Sequence, residues 1–303
     1  MQRFFQLEKV IRRAPLGMRF LDLVRGVGVN DGLVVTAWRP GTAGPKEAAF
    51  SSPISGVYGF RTLPGFHAFE VGERSASDWC GVPDVSPPEQ VLEELIDGNV
   101  PEGVLSAGEN GTKANFVIAV EDRMGRFLPE VLLMCLPKEQ LVEVPLFSSP
   151  ARVAPAGLGV VRGQLATHQD AMVIGAAGWA RIQAILEGHV FDAVADARGM
   201  FILFVPYARA LPPLEGVPPQ GSGRIDQLTW QIALQVFYQP SVQRFVAGLE
   251  PPTMRSILEQ GGASVYARVE EPLAELTSVI RFGEDLVVST EGHSELFVDQ
   301  APP

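Results

Sequence analysis

The chain has 303 residues, 24 of them basic and 35 acidic, for a formal net charge of −11 at pH 7. That negative surplus argues against phosphate-backbone binding as the main activity, and 46% apolar against 19% charged residues excludes wholesale disorder. Thirty-one glycines and 25 prolines far exceed average usage of roughly 12% and point to a turn-dense β protein, while the length calls for two domains rather than one core.

The N-terminal arm carries Phe4, Phe5, Leu7, Val10 and Ile11, which suit a core, and four arginines, Arg12, Arg13, Arg19 and Arg25, which make it basic within an acidic chain. These arginines suit either docking on an acidic partner surface or a solvated strand edge that discourages aggregation. Charges scattered through residues 1–9 interrupt the apolar stretch that a signal peptide needs. No run approaches the ~18 apolar residues of a spanning helix, so direct membrane insertion is not expected and the chain is placed in the cytoplasm during assembly.

Leu33-Val34-Val35-Thr36-Ala37-Trp38, between Asp31-Gly32 and Pro40-Gly41, is a predicted strand because β-branched residues dominate it and turn residues bound it. Residues 58–63, 116–120 and 132–136 follow as strands. A long polar insertion is expected at about 70–112, where Pro87-Pro88-Glu89-Gln90 opens a short helix stopped by Gly98. Of the two cysteines, Cys80 lies in polar sequence and Cys135 in an apolar run. A buried free thiol suits Cys135 best, with a single disulfide as the alternative.

Residues 145–157 hold three prolines among small residues and read as a semi-rigid connector, giving an N-terminal sandwich over 1–150 and a C-terminal one over 151–303. In the second half, predicted strands cover 179–186, 191–195, 200–205, 230–238, 264–269, 278–282 and 286–289. Glu187-Gly188 and Asp196-Ala197-Arg198-Gly199 are turns, 212–223 is a loop, and a short helix is expected around 254–259. A strand, a glycine turn and an aromatic-bearing strand ending in proline occur in both halves, first at 33–38 with Ser55-Gly56-Val57-Tyr58-Gly59-Phe60, then at 179–186 with Asp196 to Phe201. The expected fold is mainly β: two tandem Ig-like or transthyretin-like β-sandwiches with a long polar insertion.

Chemistry is hard to find. His67, His168, His189 and His293 share no metal-ligand spacing with one another or with the cysteines. There is no G-x-S-x-G elbow and no phosphate loop, and Gly26-Val27-Gly28 lacks the spacing and the helix of a dinucleotide fingerprint. The adjacent pairs Glu93-Glu94 and Glu270-Glu271 point apart on a strand or helix and read as solvated faces. No catalytic, cofactor-binding or metal-ligating residue is assigned, and no cofactor is expected. Trp79, Trp179 and Trp230 are the aromatic candidates for a binding platform, although Trp79 reads rather better as a staple holding the insertion onto the sandwich. His67 or His293 would centre a site assembled from distant loops if the protein were a hydrolase.

At Ala195-Asp196-Ala197-Arg198-Gly199-Met200-Phe201-Ile202-Leu203-Phe204-Val205-Pro206 the chain resembles the carboxypeptidase regulatory-like, transthyretin-type β-sandwich. Over roughly residues 1–210, Asp31-Gly32-Leu33-Val34-Val35-Thr36-Ala37-Trp38, Arg126-Phe127-Leu128-Pro129 and Pro145-Leu146-Phe147-Ser148-Ser149-Pro150 resemble accessory proteins of phage-tail-like contractile injection systems. That resemblance implies a non-enzymatic structural subunit at the baseplate or cap end, whose partners are baseplate, tube or sheath proteins and not nucleic acid. The alternative is a carbohydrate- or protein-binding β-sandwich module. Sandwich faces and unpaired edge strands suit docking in either case.

Overall fold

A computed structural model describes residues 14–40, 46–63, 114–136, 140–169, 172–207 and 228–300. The chain is mainly β, built of largely antiparallel sheets as expected for a sandwich class. The first half holds β1 (Gly17–Asp22), β2 (Val27–Gly28), β3 (Leu33–Trp38), β4 (Glu47–Ala48), β5 (Phe50–Ser51), β6 (Tyr58–Gly59), β7 (Ala114–Asp122), β8 (Glu130–Leu136) and β9 (Val142–Leu146). They form one sheet in the order β2-β1-β6-β5, with β9 also on β1, and a second in the order β4-β3-β7-β8. Period-two alternation decides which side chains go inside: in β1, Met18, Phe20 and Asp22 are buried while their neighbours are half-buried. The insertion helix expected at 87–98 lies outside the described residues.

The second half holds β10 (Leu158–Gln169), β11 (Met172–Ala176), β12 (Arg181–Leu186), β13 (His189–Val194), β14 (Met200–Pro206), β15 (Thr229–Phe237), the short helix α1 (Met254–Leu258), β16 (Gly262–Arg268), β17 (Glu271–Leu273), β18 (Leu276–Arg281), β19 (Asp285–Val288) and β20 (Leu296–Asp299). β10 organises this half. Its first seven residues pair antiparallel with β14 and, within that span, parallel with β19; the end of the strand pairs antiparallel with β11 and parallel with β20. A strand that changes neighbours along its length makes the corner between two layers. The path continues β20-β16-β15-β12-β13, and Ile182, Phe201, Leu203, Ile232, Val265 and Val298 fill the core. Burying each such side chain contributes about 1.5–3 kcal/mol.

The turns obey simple chemistry. Glu187 and Gly188 both take positive φ (50° and 82°), as the two-residue hairpin between β12 and β13 requires. At Gly199 (φ 77°) a Cβ would lie 2.2 Å from the Leu165 carbonyl oxygen, so only glycine fits.

The chain divides into two compact units, neither continuous in sequence. One comprises Met1–Phe20, Val35–Ile118 and Met134–Val144; the other comprises Leu21–Val34, Ala119–Leu133 and Pro145–Pro303. The connector expected near residue 150 falls within the second unit. Cys135 is disulfide-bonded, which corrects the expectation of a free thiol there. The chain's other cysteine, Cys80, lies outside the described residues. Among the described residues no helix is long and apolar enough to cross a membrane.

Candidate functional site

A cleft of about 480 Å³ in the second unit is built around two arginines and the turns that hold them. β1 ends by placing Asp22 in the buried phase of its alternation, where a lone carboxylate would be strongly disfavoured. Arg152, from the proline-rich connector, answers it: Nη1 and Nη2 donate to the two carboxylate oxygens at 3.0 and 2.6 Å, and Nη1 also donates to Ser148 Oγ at 3.0 Å. The pairing closes a separation of 130 residues, and both side chains are about 6% exposed. This two-pronged geometry is the arrangement for which guanidinium is suited.

Arg126 forms the second clamp. Asp122 starts a turn after β7 and accepts backbone N–H groups from Met124 (3.2 Å) and Arg126 (2.7 Å). The Arg126 side chain returns to Asp122 through Nε and Nη2, both at 3.1 Å, and reaches Asp31 through Nη1 (3.1 Å) and its carbonyl through Nη2 (2.7 Å). Burial alone would raise the Asp122 carboxyl; the Arg126 side-chain bond and the backbone donors outweigh it and hold Asp122 below its ordinary range. The same Asp122 bond raises Arg126. Phe127 lies under both guanidinium groups, 5.3 Å from that of Arg126 and 4.8 Å from that of Arg152.

Arg152 and Arg126 therefore engage all three aspartates of the floor, whereas the cleft also carries apolar side chains open to solvent. Val27, Met124 and Val153 line it at 52%, 60% and 87% exposure. Arg25 lines it too and is exposed; its backbone N–H donates to the Asp22 carbonyl at 3.2 Å, and its guanidinium makes no hydrogen bond or ion pair among the described residues. The described lining includes no histidine, cysteine, serine or lysine, and its two carboxylates are both engaged. Such a surface can hold a ligand by shape, by apolar contact and through the Arg25 guanidinium, which has no partner among the described residues.

The residues singled out from sequence fall elsewhere. Arg12, Arg13, His67 and Trp79 lie outside the described residues. Trp179 is buried at positive φ (60°) and its carbonyl accepts the Gln260 side-chain amide at 2.7 Å, so it serves a turn rather than a platform. Trp230 packs on the core and beside Tyr207, 5.1 Å between ring centroids. Arg19 pairs with Glu143 at 3.3 Å, and Glu270 and Glu271 are exposed. His293 packs on Phe297 at 4.5 Å.

Sequence reasoning missed a cluster around His168. Its ring lies 4.5 Å from that of Tyr266 and 4.8 Å from that of Phe297, and Nδ1 is 3.6 Å from Asp299 Oδ1. The Tyr266 hydroxyl donates to Asp299; burial first, then that bond and the carboxylate's charge, push Tyr266 up to about 12. With His168 only 9% exposed, this is a packed seam and not an open reaction site. Among the described residues no group of three or more His, Cys, Asp or Glu is placed to hold a metal ion.

No protein-family model matches the chain, and no curated protein matches it. Among solved structures, a candidate adhesin from Bacteroides ovatus is similar at 9% identity and a TM-score of 0.22, over 99% of this chain and 100% of that one. A second candidate adhesin from the same organism gives 11% identity and a TM-score of 0.14, over 75% and 74%. Superpositions this loose carry no argument about fold or function.

Proposed function

We propose that the chain is a non-enzymatic β module that works by binding, and that its cleft is the contact surface. The observation that carries this reading is the contrast within the cleft. A buried clamp, Arg152 on Asp22, and a half-buried one, Arg126 on Asp122, fix the floor, while Val27, Met124 and Val153 stay exposed on a preformed concave surface. Rigid clefts with apolar lining and a few placed polar groups are the usual form of a recognition site, and preorganisation lowers the ordering penalty of binding.

The test is to probe the full chain against peptide and glycan arrays, beside a broad esterase and glycosidase panel. Binding that is lost in the Met124→Ser/Val153→Ser variant supports the reading. Turnover of any panel substrate, or binding indifferent to that variant, contradicts it. The disulfide at Cys135 favours an oxidising compartment over assembly in the cytoplasm. The narrower assignment, a subunit of a contractile injection particle, rests on the sequence resemblance alone; mass spectrometry of purified particles tests it.

A further inference from the structure

Three arginines and three aspartates meet at the cleft, but they pair unevenly, and the guanidinium left over points to a ligand class. Arg152 spends both terminal nitrogens on Asp22, with Ser148 as third partner, and Arg126 is spent on Asp122 and Asp31. Arg25 is left as an exposed guanidinium with no partner among the described residues. Beside it, among the described residues, β2 is the end strand of its sheet, pairs with β1 alone, and exposes both Val27 and Gly28. Among the described residues, one unpaired guanidinium, three exposed apolar side chains and an open backbone edge thus adjoin one concavity.

We propose that this cleft receives an extended polypeptide segment of a partner protein, in which an aspartate or glutamate is flanked by apolar residues. Arg25 takes the carboxylate, Val27, Met124 and Val153 take the apolar neighbours, and the backbone runs beside β2. This inference rests on the binding-module reading above. An extended chain supplies backbone partners for a strand edge and alternating side chains for pockets. Sugars are usually held on an open aromatic face; here Phe127 is buried beneath two guanidinium groups, which favours polypeptide. The net charge of −11 does not oppose the contact, because at physiological salt charges beyond about 8 Å are largely screened and Asp22, Asp31 and Asp122 are each engaged by Arg152 or Arg126.

The experiment uses the full chain on an array of terminally blocked peptides alternating aspartate with apolar residues, each with its asparagine counterpart. Wild type should retain the aspartate peptides about tenfold better, the scale of one charge-assisted bond. Arg25→Gln should abolish that discrimination, Arg25→Lys should keep part of it, and Met124→Ser/Val153→Ser should weaken both peptide sets. Val190→Ser, at an exposed residue of β13 outside the cleft lining, should change nothing. Arg25, Met124 and Val153 are exposed, and unchanged melting confirms that the variants fold. Discrimination that survives in Arg25→Gln overturns the ligand class while leaving the surface intact. Insensitivity to the Met124/Val153 variant overturns the surface itself. Retention of acidic glycans in place of peptides, or of no peptide at all, overturns the proposal.

Discussion

Arg152→Ala tests whether the cleft floor is held as described. The substitution deletes three hydrogen bonds, two to Asp22 at 3.0 and 2.6 Å and one to Ser148 at 3.0 Å, together with the contact over Phe127. Asp22 is then left at 4% exposure with the Val24 N–H (3.0 Å) as its remaining donor among the described residues. Breaking a buried pair by removing one partner costs about 3–5 kcal/mol, because the other charge stays buried. At roughly 2–4 °C per kcal/mol for a unit of this size, the thermal midpoint should fall by about 6–20 °C. Circular-dichroism melts with urea titration measure it. The combined Asp22→Leu/Arg152→Met variant should recover most of the loss, since a packed apolar pair often matches a buried ion pair. A loss below about 1 kcal/mol, the scale of exposed pairs, or a double variant no better than Arg152→Ala, would refute the reasoning.

Four further outcomes follow from the geometry. Gly199→Ala should destabilise by ~3 kcal/mol or more, since positive φ and the Leu165 carbonyl both exclude a Cβ, whereas Gly188→Ala, with open space around it, should lose only about 1 kcal/mol. Glu130 is buried, one carboxylate oxygen accepts the Phe147 N–H at 3.3 Å and the other has no hydrogen-bond partner among the described residues, and burial pushes its pKa well above the ordinary range. A raised carboxyl stabilises fully below the unfolded value near 4.3 and loses that contribution as pH rises through the folded value; Glu130→Gln should flatten this limb of a stability–pH profile and raise stability at its upper end. Tyr266, raised to about 12, stabilises fully below about 10 and loses this between 10 and 12, so Tyr266→Phe should remove that alkaline step in pH-dependent unfolding. Alkylation of Cys135 should require prior reduction, as peptide mass mapping can show.

Much of the fold was legible because its strands announce themselves locally. Leu33–Trp38 is β3 as expected, and the strands expected at 191–195, 200–205, 230–238 and 264–269 correspond to β13, β14, β15 and β16 within a residue or two. The strand expected from Trp179 begins at Arg181 because Trp179 itself turns at positive φ. The expected repeat holds at its turns, where Gly56 and Gly199 both take positive φ and Phe60 and Phe201 are buried, but the strands have different neighbours: β3 lies between β4 and β7, β12 between β13 and β15.

β10, the longest strand among the described residues, was not predicted. Its glycines, which discourage a strand reading, are packing devices: a Cβ at Gly163 would meet Phe201 at 2.8 Å and one at Gly159 would meet Ile280 at 2.6 Å. Close approach of distant side chains leaves no local mark in sequence. The cleft was hidden for the same reason. Arg25 stood out as basic, but Asp22 and Arg152 are 130 residues apart and Asp31 and Arg126 are 95 apart. One signal was available: Asp122-Arg123-Met124-Gly125 repeats the Asp-x-x-Gly pattern of Asp196 to Gly199, and both aspartates accept the turn's own backbone N–H groups.

The most direct measurement of the central claim is methyl-resolved NMR of the full chain titrated with the best aspartate-bearing peptide. Perturbations should concentrate on the methyls of Val27, Met124 and Val153. Shifts confined instead to the exposed β11 residues Met172, Val173 and Ile174, with the cleft methyls unmoved, would contradict it.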